Sequence, residues 1–135
     1  MNNQFTLDKK LHDSSILLTT LELSTVLLKN DATYPWVILV PRVPHITEID
    51  ELDTQQQSIL VGEISKISKM LKDIFKPDKL NMGALGNIVR QLHIHIIARY
   101  TSDPLWPHSV WQAGHHPVPY EQKNLDKVIK LFNFQ

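Results

Sequence analysis

The sequence predicts an α+β domain in which an antiparallel sheet of about five strands carries one long helix on a face. Three observations lead there. The stretches "TTLELSTVLLKND" and "YPWVILVPR" are rich in Val, Ile, Leu and Thr and are separated by turn-forming residues. Residues 53–76 change to a helical period. Residues 90–100, "RQLHIHIIARY", alternate polar and apolar side chains as a half-buried strand does.

In chain order, residues 8–18 suggest a short helix, with Leu7, Leu11 and Leu18 on one side and Asp8 as its cap. Two or three antiparallel strands follow, the last ended by Pro41. From Asp53 to Lys76, Leu60, Ile64, Ile67, Leu71 and Ile74 recur at helical spacing; Asp53 with Gln56, or Thr54 with Gln57, resembles a capping box, and Pro77 stops the helix. "KLNMGALGN" reads as a strand ending in a turn where Gly86 takes a positive φ. The segment "TSDPLWPHSVWQAGHHPVPY" holds four of the eight prolines and two of the three tryptophans, which marks an irregular but ordered tail. Leu125, Val128, Ile129 and Phe132 then form a last helical stripe.

A chain of 135 residues fits a single core. Fourteen basic and fourteen acidic residues cancel, so the basic excess of a duplex-binding protein is absent, although a local anion site stays open. Without cysteine there is neither a disulfide framework, a thiolate zinc site nor a cysteine nucleophile. "MNNQFTLDKKLHDSS" lacks a signal-peptide pattern and no apolar run nears the ~18–20 residues of a membrane span, so a cytoplasmic protein with no membrane association is expected.

On a strand, His93 and His95 project to one side about 6.5–7 Å apart at Cα, with Gln91 in the same row. Two such imidazoles can chelate zinc, with a third ligand from His12, His45, His108, His115 or His116, none singled out by spacing. They can serve phosphate chemistry, one as nucleophile and one as hydrogen-bond donor, beside an anion cradle such as "GALGN". Or they can simply face water. Likewise His115 and His116 read as exposed loop residues, Trp106 and Trp111 as packing anchors, and Asn81 as a strand-end residue.

"QLHIHIIAR" resembles the signature of the histidine triad family, His-φ-His-φ-His-φ-φ with φ hydrophobic. The surrounding order is similar too: an N-terminal helix, a hairpin ending in "WVILVPR", the acidic "ITEIDELD", a long helix, a strand, a glycine turn and the histidine strand. The resemblance covers most of residues 5–111 and looks strongest to the small bacterial diadenosine-polyphosphate-hydrolase-like branch, with counterparts of "LNMGALGN" and "DPLWPHSVW". It implies a HIT-like domain over residues 1–111, with 112–135 an extension of the same unit carrying a short helix, and two chains joined as a homodimer.

The resemblance also implies a nucleotide hydrolase. His93 would attack the α-phosphorus of a nucleoside phosphoanhydride, phosphoester or phosphoramidate, and water would release the nucleoside monophosphate from a nucleotidyl-histidine. His95 would contact the phosphate or bridging oxygen, the N–H groups of Gly86–Ile88 with Asn81 and Asn87 would hold the non-bridging oxygens, and Asn30 or Asp31 would meet the ribose. No metal and no cofactor enter the covalent step. Two positions depart from the pattern: Gln91 stands where the first triad histidine is expected, and Trp36 where many members carry a histidine before the apolar-Pro motif. The nucleophile is retained, so a hydrolase is expected over an inactive nucleotide-binding module.

Overall fold

Asp8 accepts from Lys10 N and opens α1, Lys9–Asp13, a single turn and a half. The expected helix over 8–18 is therefore too long. Ser14 ends it, and the apolar residues after it form the edge strand β1, Ser15–Thr20, whose hydrogen bonds to β2, Ser24–Lys29, replace those of a helix. The chain then runs through β3, Trp36–Pro41, and a one-turn 3-10 segment, Ile49–Glu51, into α2, Thr54–Phe75. Strands β4, Lys79–Gly83, and β5, Ile94–Arg99, and helix α3, Gln122–Phe132, complete the element order. The computed structural model describes residues 4–134.

All five strands form one antiparallel sheet in the order β1-β2-β3-β5-β4. Helix α2 begins as the sequence suggested: the Asp53 carboxylate accepts from Gln56 N at 2.8 Å, and the Gln56 amide oxygen accepts from Asp53 N at 3.0 Å. Leu60, Ile67 and Leu71 are buried in the core that Val26, Leu28, Val37, Leu39, Ile94, Ile96 and Ala98 present from one face of the sheet. Each such side chain contributes about 1.5–3 kcal/mol of burial, so this layer fixes the sheet's orientation. Glu63, within the same stripe, is also buried, because its two oxygens accept from Leu23 N and Ser24 N where β2 begins.

Leu27, Trp36, Ile38, Val40 and Ile97 point to the opposite face, where Leu11 of α1, Tyr34 and Val110 cover them. With both faces covered, β2 and β3 are buried nearly throughout, which explains why their sequences are continuously apolar. His95 lies on this second face, beside Ile38 on β3 and Gly83 on β4.

Candidate active site

Strand β5 starts at Ile94, so Gln91 and His93 precede it and belong to the connection that delivers the chain into the sheet. His93 is nonetheless buried, and its ring lies edge-on to that of His95, with 4.8 Å between centroids. Nδ1 of His93 lies 2.7 Å from the carbonyl oxygen of Gln91. A carbonyl only accepts, so Nδ1 carries the proton and donates it; in the neutral ring Nε2 then keeps a free lone pair.

His95 has the opposite tautomer. The Trp36 indole Nε1–H donates to Nδ1 of His95 at 2.9 Å. An accepting Nδ1 leaves the proton of the neutral ring on Nε2. Burial, then the neighbouring His93 and the Lys29 ammonium, push the His95 pKa down to about 3, so the ring is neutral at pH 7. One imidazole thus offers a lone pair and its neighbour an N–H.

Both rings open into a cavity of about 430 Å3, within the range of small-molecule sites. Gly86, Asn87 and Ile88 form one wall. Gly86 has φ +67°, a conformation that favours glycine, and the backbone N–H groups of these three residues have no hydrogen-bond acceptor among the described residues. Such a run of unpaired N–H groups is suited to an anion. Lys10 and Ser14 from the end of α1, and Lys29 from β2, bring two positive charges to the other wall. Lys29 Nζ stands over the Trp36 ring, 5.2 Å from its centroid, and burial lowers its pKa more than the charge of Asp31 raises it.

Trp111 also lines this cavity, so "WPHSVW" reaches the site of its own chain. Its ring packs 5.6 Å from that of His95, and a Cβ on Gly83 would come within 3.2 Å of it, so the glycine leaves room for the indole. Trp106 lies instead over the Arg99 guanidinium.

Other expected site residues are placed elsewhere. Asn81 shares the site face of the sheet but is not in the cavity wall, and its Oδ1 accepts from Arg99 Nη1 at 2.8 Å. Arg99, fully buried, also makes a two-pronged pair with Asp103, which holds that carboxyl down to about 2. Asn30 accepts from Tyr120 N, and the buried Asp31 accepts from Thr33 N and Val118 N. Both therefore anchor the chain after residue 112, and neither lines the cavity; a ribose would have to displace those bonds. Gln91 also points away: its Nε2 donates to Thr6 O and its Oε1 accepts from Asp8 N, which pins the segment leading into α1.

His115 differs from the exposed loop residue expected. It packs at 6.4 Å against Trp36, and its Nε2 is 2.6 Å from Asp31 Oδ2. A partner carboxylate and an aromatic neighbour compensate its removal from water. His116 is exposed. Among the described residues no three His, Cys, Asp or Glu side chains converge as metal ligands would. Lys10, Ser14, Lys29, Trp111 and the Trp36–His95 bond were not anticipated. Only the strand order places Lys29 beside the histidines, because β2 and β5 are separated by β3 and by more than sixty residues.

The HIT domain family model matches residues 10–102. The chain belongs to the histidine triad family. Solved histidine triad proteins agree over nearly the whole length. That from Bradyrhizobium japonicum is 45% identical, with 96% of each chain covered and a TM-score of 0.92. That from Marinobacter aquaeolei VT8 is 45% identical over 96% of this chain and 94% of its own, with a TM-score of 0.93. That from Sinorhizobium meliloti 1021 is 40% identical over 95% and 94%, with a TM-score of 0.91. No curated protein matches. Histidine triad proteins are generally nucleotide hydrolases, and the open five-stranded sheet with helices packed on it is their fold.

Proposed function

We propose that this histidine triad protein hydrolyses a nucleotide through a nucleotidyl-His93 intermediate and releases a nucleoside monophosphate. The observation that carries the reading is the pair of opposite tautomers, a free Nε2 lone pair on His93 beside an N–H on His95. The bond to Gln91 O retains the Nδ1 proton as Nε2 attacks phosphorus, and the carbonyl stabilises the positive charge that develops on the ring. The N–H groups of Gly86, Asn87 and Ile88, the Asn87 amide, and the Lys10 and Lys29 ammoniums are suited to the phosphate oxygens as charge gathers on them. Water then attacks the phosphorus and the P–N bond breaks.

Membership of the diadenosine-polyphosphate-hydrolase-like branch, with Gln91 at the first triad position, belongs to this reading, as does the homodimer; sedimentation checks the latter. No helix among the described residues is long and apolar enough to cross a membrane. Incubation with a fluorogenic adenosine phosphate ester and with diadenosine tetraphosphate tests the chemistry. Wild type is expected to release AMP and, after acid-free quenching, to carry an adenylyl group on His93; His93→Ala is expected to do neither. Binding of these compounds without turnover would instead support an inactive nucleotide-binding module.

A further inference from the structure

Lys29 stands two strands away from His95, and both side chains open into the same cavity. Neighbouring strands are about 4.8 Å apart, so the long stem of a lysine covers much of that distance. The Lys29 ammonium ends over the Trp36 ring, 5.2 Å from its centroid, and that same indole donates to Nδ1 of His95. Among the described residues no group accepts a hydrogen bond from Lys29 Nζ, and the Asp31 carboxylate two positions further on is bonded to His115. The other groups at the cavity are committed. His93 attacks through Nε2, and its one proton is bonded to Gln91 O on the far side of the ring. On His95 the Trp36 N–H occupies Nδ1, so loss of the Nε2 proton would leave an imidazolate; the ring gives a hydrogen bond and keeps its proton. The Ser14 hydroxyl donates to Lys10 O, and Lys10 itself is exposed, whereas Lys29 is half-buried. Burial favours release of the Lys29 proton more than Asp31 opposes it.

We propose that Lys29 is a catalytic residue, the acid that protonates the leaving atom in the first step and the base that takes a proton from water in the second. The assignment rests on the proposed covalent hydrolysis and names the proton carrier of that reaction. In the first step, Nε2 of His93 bonds to phosphorus while the bond from phosphorus to the leaving oxygen or nitrogen breaks. The electron pair of that bond goes to the leaving atom, which takes a proton from Lys29 Nζ and leaves Lys29 a neutral amine. In the second step, a water oxygen bonds to phosphorus and the P–N electron pair returns to Nε2 of His93. Lys29 accepts one water proton and is an ammonium again, so each turnover restores the starting state. Trp36 has a part in this: its ring face holds the ammonium by cation–π attraction, and its edge keeps His95 from serving as the acid.

The test measures single-turnover adenylylation of His93 by two compounds: an adenosine 5′-p-nitrophenyl phosphate, whose phenolate departs as a stable anion, and an adenosine 5′-alkylphosphoramidate, whose nitrogen must take a proton. Lys29→Arg keeps the charge but has no proton to give at neutral pH. It is expected to slow both reactions, the amidate at least about 100-fold more than the ester. Lys29→Gln, a second variant should the arginine not fit, is expected to shift the ratio in the same direction with a larger common loss. Lys10→Arg is expected to change both rates together. Equal losses for ester and amidate in the Lys29 variants make Lys29 a counter-charge only and overturn the proposal, as does a shifted ratio in Lys10→Arg. So does a wild type that cleaves the ester but not the amidate. All three results leave the hydrolase reading standing. Turnover of neither compound by wild type, with no adduct on His93, overturns both.

Discussion

Replacing His95 by glutamine isolates the cost of keeping an imidazole neutral inside the site. In the folded protein the ring's pKa is about 3, against an ordinary value of 6.5 in the unfolded chain. As pH falls through 6.5 the unfolded chain binds a proton that the native ring refuses, so stability is lost from about pH 6.5 down to about pH 3. Between pH 7 and pH 4.5 the unfolded ring becomes almost fully protonated while the native one stays neutral. At 1.36 kcal/mol per pH unit over the two units below 6.5, less the small fraction already charged at pH 7, the loss is about 2.5 kcal/mol. Glutamine does not titrate and its amide oxygen can accept from the Trp36 N–H. Urea unfolding followed by tryptophan fluorescence, at one protein concentration and both pH values, measures the effect. Wild type is expected to lose about 2.5 kcal/mol more than His95→Gln over this interval. Asp103, with its pKa near 2, stays ionised at pH 4.5, and every other ionisable group is common to both proteins. A difference below about 0.5 kcal/mol would mean that His95 accepts a proton in the native state, and the neutral donor assigned to it would be refuted.

Three further outcomes follow from the same geometry. Asp103→Ala strands the fully buried Arg99 guanidinium and is expected to cost about 3–5 kcal/mol in chemical denaturation. In wild type the Asp103 contribution is present above the ordinary carboxylate pKa of 3.8 and is lost as pH falls through about 2, visible as an acid limb in thermal melts that is missing from the variant. Gln91→Ala removes two hydrogen bonds to the segment before α1 and is expected to cost about 1–3 kcal/mol; by loosening Lys10 it should raise KM several-fold while kcat stays within about tenfold. Gly86→Val forces a β-branched residue to φ +67° and turns the neighbouring N–H groups out of line, so adduct formation in single-turnover kinetics is expected to slow at least tenfold, with a stability loss of about 1–3 kcal/mol.

Local chemistry made much of the fold legible. The spacing of Leu60, Ile67 and Leu71, the Asp53–Gln56 box and the positive φ of Gly86 are decided within a few residues of chain, and each occurs where the sequence places it. The first helix was misjudged because Leu18 continues a helical pattern with Leu11, whereas hydrogen bonding of residues 15–20 to β2 depends on a partner strand that the local pattern does not specify. His93 and His95 are found in the cavity with Gly86, Asn87 and Ile88. Asn30, Asp31 and Asn81 were plausible ligands by residue type, yet their polar atoms are engaged by Tyr120, His115 and Arg99. His115 lies 84 positions from Asp31, and residue type alone cannot select between such partners.

The amino-acid sequence by itself determined the helix stripe, the glycine turn, the histidine pair and, through them, a family concerned with nucleotides. Its information is periodic and local: side-chain spacing, caps and dihedral preferences act over one or two turns of chain. The tertiary structure alone decided which imidazole offers a lone pair and which a proton. Those tautomers are set by Gln91 O on one ring and by an indole 59 positions away on the other, brought together only when β3 pairs with β5. A proton's position is fixed by its hydrogen-bond partner, and partners distant in sequence meet only in the folded chain.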